Sequence, residues 1–415
     1  MTRTLESIRS TLPAPAHVPP ELLVDLQWAM GRETNDLVEP YSPCAWLLNP
    51  DVPPILYDPL PRLGGPAGAW VVSHYKDIQR VYEEHETFST VGVAEFQAAI
   101  GETFHTLPLA MDPPEHGKYR KFLSPFFSPV SMIEMEKQVR TVVIEMIDAF
   151  ADIGEVDIAW DFGRVYPVHV FMDMMGFPRD MFETFLDWEW AILHANDMDV
   201  SMKAMREVID WLRAFMADRR TSPDDRLTSK IVHGMSEGTP FTEDEQMGMV
   251  WLLWLGGLDT VASTISQMFR RLALQPALQA QLRADPSLIN SAVEEFLRTQ
   301  PLVYSNRTLT KDIVWHGTAM KAGDSIQCLT AAGNFDPDQF KNGHLFDPAR
   351  QANRHYTLIG GVHLCLGAHL ARRELRILLE EFFKRVPTFR IKPGSDTSVV
   401  PGLLSIRNLP LVWDV

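Results

Sequence analysis

Cys365 stands in the run Gly360-Gly361-Val362-His363-Leu364-Cys365-Leu366-Gly367, which leads directly into a helical pattern. A thiolate holds a metal only if its negative charge is stabilised, and the unpaired amides and positive dipole end of a helix N-terminus do that. Glycines let the backbone come close to a flat macrocycle and its sulfur ligand. Cysteine is also the axial ligand that pushes electron density on a haem iron toward O–O cleavage. The same loop would suit a buried structural cysteine beside a glycine turn.

A second run, Gly256-Gly257-Leu258-Asp259-Thr260, lies inside an apolar helical pattern. Each glycine costs a helix interior about 1 kcal/mol, and an acid among apolar residues costs more. Gly256 leaves room for a ligand and frees the helix to bulge, while Asp259 and Thr260 have the chemistry to hold and relay protons. A packed kink with a satisfied acid is the competing explanation. A third run, EEFLRTQ, sets Glu295 and Arg298 three apart on one helical face, where they can pair. Such pairs are common on solvated helices and by themselves contribute little.

The elements that must position these residues follow from pattern. The first hundred residues, rich in proline and aromatics, read as mixed strand and loop, with a strand at Ala69 to Ser73. From about Ser128 to Gln300 the apolar period is mostly helical. The most legible helix opens at the capping-box pattern Thr242 to Glu245 and runs to Pro276, roughly 50 Å at 1.5 Å per residue. Apolar on nearly every side, it must be buried, and its uninterrupted apolar stretch ends at Asp259, short of a membrane span. A second helix starts near Cys365 and continues to Pro387, with Ala371, Leu375, Leu378 and Leu379 on one face. Turn-rich strands and the irregular segment GNFDPDQFKNGHLFDPAR separate the two. The fold class is mainly α (α+β), with a minor β portion.

No linker, repeat or low-complexity stretch divides the 415 residues, so one domain is expected over 1–415. A net charge of −16 argues against nucleic acid and against adhesion to an anionic membrane. The opening MTRTLESIRSTLPAPAHVPP has no apolar core of signal-peptide length, which predicts a cytoplasmic location. Cys44, Cys328 and Cys365 are far apart, so neither a disulfide framework nor a zinc site is suggested.

The three runs, in this order, together with MDPPE at Met111, HLCLGAHLARRE at His363 and LPLVWD at Leu409, resemble the cytochrome P-450 superfamily over essentially the whole chain. The likeness is strongest to the bacterial camphor hydroxylase family and its terpenoid- and norisoprenoid-oxidising relatives. The resemblance implies a helix-rich triangular prism binding haem b, with Cys365 as axial ligand and metal-binding residue and Gly361 and Gly367 shaping its loop. It implies that Asp259 and Thr260 deliver protons beside Gly256, and that Glu295, Arg298 and Arg350 form a buried structural ion network. His116, Arg120, Arg307 and His363 fall where the family holds haem propionates, anions that cations suit. Phe104, Leu252, Leu255, Val303 and Leu404 fall at substrate-pocket positions, all apolar.

The reaction so implied is insertion of one atom of O2 into a C–H bond of a small apolar substrate, the other atom leaving as water. No strand-associated GxGxxG opens a helix, so electrons must come from outside. The resemblance implies a [2Fe-2S] ferredoxin with a separate ferredoxin reductase, docking where Arg120, Arg372 and Arg373 offer positive charge. A peroxide-driven haem-thiolate enzyme and a non-catalytic haem sensor remain alternatives, the former weakened by the Asp259-Thr260 pair. Two departures stand out. Leu358 and Ile359 occupy positions where the family's cysteine loop normally has Phe and a small or polar residue, usually Gly. Phe104 stands where the camphor enzyme has a tyrosine that hydrogen-bonds the substrate ketone; His105 and Thr106 are neighbouring replacement donors.

Overall fold

A computed structural model describes residues 4–26, 42–61, 67–195, 197–400 and 405–415. In chain order, the helices that position the candidate residues are α1 Tyr75–Glu83, α2 Glu115–Leu123, α3 Pro129–Asp148, α4 Phe182–Leu193, α5 Met198–Thr221, α6 Glu243–Gly257, α7 Asp259–Leu274, α8 Ile289–Thr299 and α9 Ala368–Arg385. The strands of the largest sheet are β1 Ile55–Pro61, β2 Ala67–Val72, β3 Phe88–Ser89, β4 Ser305–Leu309 and β5 Ser325–Cys328.

The chain forms two compact units. The first contains 1–94, 109–113 and 294–365. Its five-stranded sheet has the order β1-β2-β5-β4-β3, with β5 parallel to β2 and the other pairs antiparallel. Trp70 sits opposite both Tyr57 and Ile326 in this register, and all three are buried. Helix α1 corrects the expectation of strand and loop alone in the first hundred residues. Its Tyr75, Ile78, Val81 and Tyr82 recur at helical spacing and are buried, so an amphipathic face outweighed the proline-rich surroundings.

The second unit contains 95–108, 114–293 and 366–415 and is dominated by helices. Helix α3 packs on α9, and α4 on α5. Helix α6 opens with the expected box: Thr242 Oγ1 accepts from the Glu245 amide and the Glu245 carboxylate accepts from the Thr242 amide. The same Glu245 carboxylate takes a hydrogen bond from Tyr119 at 2.9 Å and an ion pair from Lys118, both on α2. The long helix expected from Thr242 to Pro276 is interrupted at Leu258, directly after the two glycines, into α6 and α7. By length and apolar character residues 243–274 would suffice to cross a membrane, but most of that stretch is buried within the protein.

Candidate active site

Cys365 closes the first unit. Its amide donates to the Leu358 carbonyl at 2.9 Å, and the Ile359 amide donates to Tyr356 at 2.9 Å, so the loop is pinned on both sides. Gly361 has φ +63°, and a β-carbon there would lie 2.2 Å from the Tyr82 carbonyl oxygen of α1, so only glycine fits. Gly367 is the residue from which α9 begins. Ile359 also adopts a left-handed backbone, φ +61°, a conformation that a β-branched residue rarely accepts. The usual glycine of that position therefore has a physical reason, and this chain holds the same turn at a cost. Among the cysteines, Cys44 and Cys328 are buried and burial pushes the Cys328 thiol up to about 11, whereas Cys365 is half-buried.

Three sequence-singled residues converge in this unit. Arg298 donates to Glu295 at 2.7 and 2.8 Å, and Arg350 Nε lies 3.0 and 3.1 Å from the same carboxylate oxygens. The Asp347 amide and the Asn353 side chain add bonds of 3.0 and 2.9 Å. Arg298 also reaches the carbonyls of Asn334 and Gly343. Burial alone would push the Glu295 carboxyl up, but Arg298, the Asp347 amide and Arg350 hold it below the usual range. The i, i+3 pair is thus a buried hub that fixes the irregular segment before the cysteine loop.

His363 Nε2 lies 3.2 Å from Thr90 Oγ1 and 4.0 Å from Asp112. Arg307 on β4 is buried; one Nη donates to the Asn306 carbonyl at 2.7 Å, while Nη2 has no partner among the described residues. Val303 is 39% exposed, so it is not a core residue.

In the second unit, within the mostly buried stretch 246–273 of α6 and α7, Gly256 is exposed and Leu252, Leu255, Gly257, Thr260, Val261 and Ala262 are half-buried; Leu252, Leu255, Gly256 and Thr260 share one helical face, at i, i+3, i+4 and i+8. A β-carbon at Gly256 would meet nothing within 4 Å, whereas one at Gly257 would strike the Phe171 ring at 2.5 Å. The two glycines therefore do different jobs: Gly256 faces open space and Gly257 admits a close packing neighbour. Thr260 Oγ1 donates to the Gly256 carbonyl at 3.1 Å. Asp259 is buried and accepts from Ser263 at 2.9 Å. Its second oxygen lies 3.4 Å from His194 Nε2.

Phe104 is buried, and its position is set by a glycine that sequence reasoning did not single out. Gly248 of α6 allows the 104–108 segment to lie against the helix: its carbonyl accepts from Leu107 at 3.2 Å, and a β-carbon would sit 2.1 Å from the His105 carbonyl. Gln97 links the two, donating to the Phe104 carbonyl at 2.8 Å and accepting from Trp251 at 3.2 Å. Phe104 lines a cleft of about 310 Å³ with Met216 and Met247, but Arg213, Arg220, Glu243 and Asp244 line it too. Leu252, Leu255 and Val303 do not line this cleft. Helices α5 and α6 present their charged outer faces there. Leu404 lies outside the described residues. His116 is buried on α2 and Arg120, one turn later, is half-buried. Arg373, expected to offer charge to a partner, is bound to Glu136 at 2.5 Å and so is locally neutralised.

The cytochrome P450 family model matches residues 171–405. A probable cytochrome P450 127A1 of Sinorhizobium fredii is 35% identical over 407 residues, covering 97% of each chain. Among solved structures, CYP101J2 superposes with a TM-score of 0.83 at 27% identity, covering 97% of this chain and 100% of that one. Mycobacterium marinum CYP268A2, solved with pseudoionone, gives 0.82 at 28% identity, covering 93% and 97%. The chain belongs to the cytochrome P450 family and has its fold. That family carries out monooxygenation with haem b and O2, and its bacterial members generally rely on redox partner proteins.

The residues present fit a haem. Within the first unit a half-buried thiol stands in a glycine loop, and the buried Arg307 guanidinium keeps a donor without a hydrogen-bond partner among the described residues, suited to a propionate. Glu189 and His194, which stand beside Asp259, were not singled out from the sequence. They lie far from Asp259 along the chain, and neither stands in a recognisable motif.

Proposed function

We propose that this chain is a cytoplasmic, ferredoxin-dependent monooxygenase that hydroxylates a small apolar terpenoid-like substrate, residues 1–415 acting as one catalytic domain. The observation that carries the reading is the open space at Gly256, flanked on the same face by the half-buried Leu252, Leu255 and Thr260 of α6 and α7. Cys365 would hold the haem iron through its thiolate, with Gly361 and Gly367 allowing the approach. Arg307, His363, His116 and Arg120 bind the propionates. Haem b, when bound, supplies the iron that activates O2. Leu252 and Leu255 exclude water and orient the substrate, with Phe104, Val303 and Leu404 completing the pocket. Asp259 holds a proton at its carboxyl group and Thr260 moves it toward the opening at Gly256. The ion hub of Glu295, Arg298 and Arg350 holds the segment that leads into the cysteine loop.

Substrate polarity follows from Phe104. A ketone reaching that position loses its water hydrogen bonds and finds no phenol, a net cost of about 1 to 3 kcal/mol. Of the neighbouring donors, His105 Nδ1 is held by Glu95 at 2.8 Å and Thr106 Oγ1 by Gln97 at 3.1 Å. Affinity then rests on apolar area, at about 25 cal/mol per Å², which favours a methyl-rich norisoprenoid over compact camphor. The pseudoionone complex of the Mycobacterium marinum relative supports that class. Electrons are supplied by a [2Fe-2S] ferredoxin and its separate reductase, with Arg120 and Arg372 as the cations to test.

The reduced CO complex is expected to absorb at the wavelength that gives the family its name, and Cys365→Ser to abolish that band; a thiolate spectrum persisting in the variant overturns the ligand. Spin-state titrations with camphor and ionones, followed by product analysis with one ferredoxin system, test the substrate. Tight, well-coupled camphor turnover refutes the role given to Phe104.

A further inference from the structure

Behind Asp259 lies a group of side chains that the acid–alcohol pair does not use. Glu189 sits on α4 and His194 directly follows it. Glu189 Oε1 is 3.7 Å from His194 Nε2, and the same nitrogen is 3.4 Å from Asp259 Oδ2. The His194 side chain is fully buried and Glu189 is 6% exposed. Neither Glu189 Oε1 nor either His194 nitrogen has a hydrogen-bond partner among the described residues. Trp190 stacks on the imidazole with centroids 4.5 Å apart and fixes its plane. Ser263 occupies the other Asp259 oxygen, which leaves Oδ2 facing His194.

Two buried carboxylates beside one imidazole cannot both carry charge at low cost. Burial, then the neighbouring Asp259, pushes the Glu189 carboxyl well above the usual range, while Arg164 acts in the opposite direction. The group therefore sets a carboxyl that favours its protonated form 3.7 Å from an imidazole nitrogen that also lies 3.4 Å from Asp259. Both separations exceed the hydrogen-bond range of about 2.7–3.2 Å, a gap that a small side-chain rotation closes; such contacts often tighten only when the reacting complex forms.

We propose that Glu189 and His194 are a buried proton store that reloads Asp259, with His194 Nε2 as the point of handover. The proton leaves Glu189 Oε1, adds to the lone pair of neutral Nε2 and passes to Asp259 Oδ2. No electrons change hands, Nδ1 keeps its own proton, and the Glu189 carboxylate then regains a proton from solvent. This rests on the monooxygenase reading, in which each turnover consumes two protons and Asp259 must be recharged.

The test uses the haem-loaded full chain. Infrared spectra in H2O and D2O, taken as wild type minus Glu189→Gln, should show a protonated-carboxyl band at neutral pH, because the contribution of Glu374, which burial also pushes up to about 8, cancels in that difference. Glu189→Gln and His194→Gln should keep the reduced-CO spectrum and the substrate spin-state shift while product per NAD(P)H falls about 10-fold or more, as for loss of a relay. His194→Arg separates handover from mere positioning: arginine keeps an N–H donor beside Asp259 but stays protonated and cannot accept a proton, so coupling should not recover. Coupling restored by His194→Arg, or no protonated-carboxyl band in the wild type minus Glu189→Gln difference, overturns the store. So does one tightly held divalent ion, found by elemental analysis, released by chelator and lost in His194→Gln. The infrared measurement needs only wild type and Glu189→Gln, so a poorly folding His194 variant leaves the proposal open to refutation. Asp259→Asn in the same assay separates the two readings: coupled turnover there removes proton delivery itself, whereas uncoupling there with intact Glu189→Gln and His194→Gln turnover removes only the store.

Discussion

Glu295 and Glu189 are both buried glutamates beside a basic side chain, and they stand in opposite states. Glu295 is reached by two guanidinium groups, one amide and one carboxamide, all within 3.1 Å, and is held ionised. Among the described residues Glu189 has one basic group within 4 Å, at 3.7 Å and shared with a second carboxylate, with Arg164 acting from farther away, and its carboxyl is pushed well above the usual range. The number and distance of donors, rather than burial, decide between the two. A saturated carboxylate is a fastening; an undersupplied one keeps a proton that it can release.

The largest expected effect breaks the saturated site. Glu295→Ala leaves Arg298 buried without its counter-ion, a loss of about 3–5 kcal/mol, visible as little or no soluble, haem-loaded protein and a much lower melting temperature. Glu189→Gln, which replaces a neutral acid by a neutral amide of the same shape, should fold and load haem. Next come Asp259→Asn and Thr260→Ala, expected to retain haem and substrate binding but to lose coupled product formation by about 100-fold or more, measured as product per NAD(P)H.

Stability against pH separates the two glutamates by sign. The folded-state value of Glu295 is lowered, so its contribution is present above the unfolded value of about 4.3 and is lost as pH falls through the folded value. The value of Glu189 is raised, so its contribution is full below about 4.3 and disappears as pH rises toward the folded value. Denaturant titrations should therefore show Glu189→Gln gaining on the wild type as pH rises. Glu374 on α9, which burial pushes up to about 8, sets the pattern for such a gain: Glu374→Gln should gain on the wild type between about pH 4.3 and about pH 8. The smallest effect is expected at the cysteine loop. Ile359→Gly relieves a left-handed β-branched residue and should stabilise the haem-loaded protein by about 1 kcal/mol, read as a higher melting temperature with an unchanged CO band.

What was legible in the sequence follows the range of each interaction. The glycine-rich cysteine loop and the start of α9 are contiguous, so their geometry could be read from neighbouring residues. The capping box of α6 is equally local. The Glu295–Arg298 pair could be seen, but its saturation depends on Arg350 and Asn353, more than fifty residues away, which spacing alone does not bring in. Glu189, His194 and Asp259 meet only because α4 and the start of α7 pack in one unit, and nothing in three separate residue types signals that. Helix α1 was missed for a different reason: its buried Tyr75, Ile78, Val81 and Tyr82 are periodic, but two of the four are aromatic, a type that also favours strands.

Glu245 does more than begin a helix. Because one carboxylate serves the Thr242 amide, the Tyr119 hydroxyl and the Lys118 ammonium group, the first turn of α6 and helix α2 share a single clasp. Segments fastened in this way open together. Backbone amides in the first turn of α6 and along α2 should exchange with deuterium at a common rate, and Glu245→Ala should accelerate both while sparing the ion hub around Glu295.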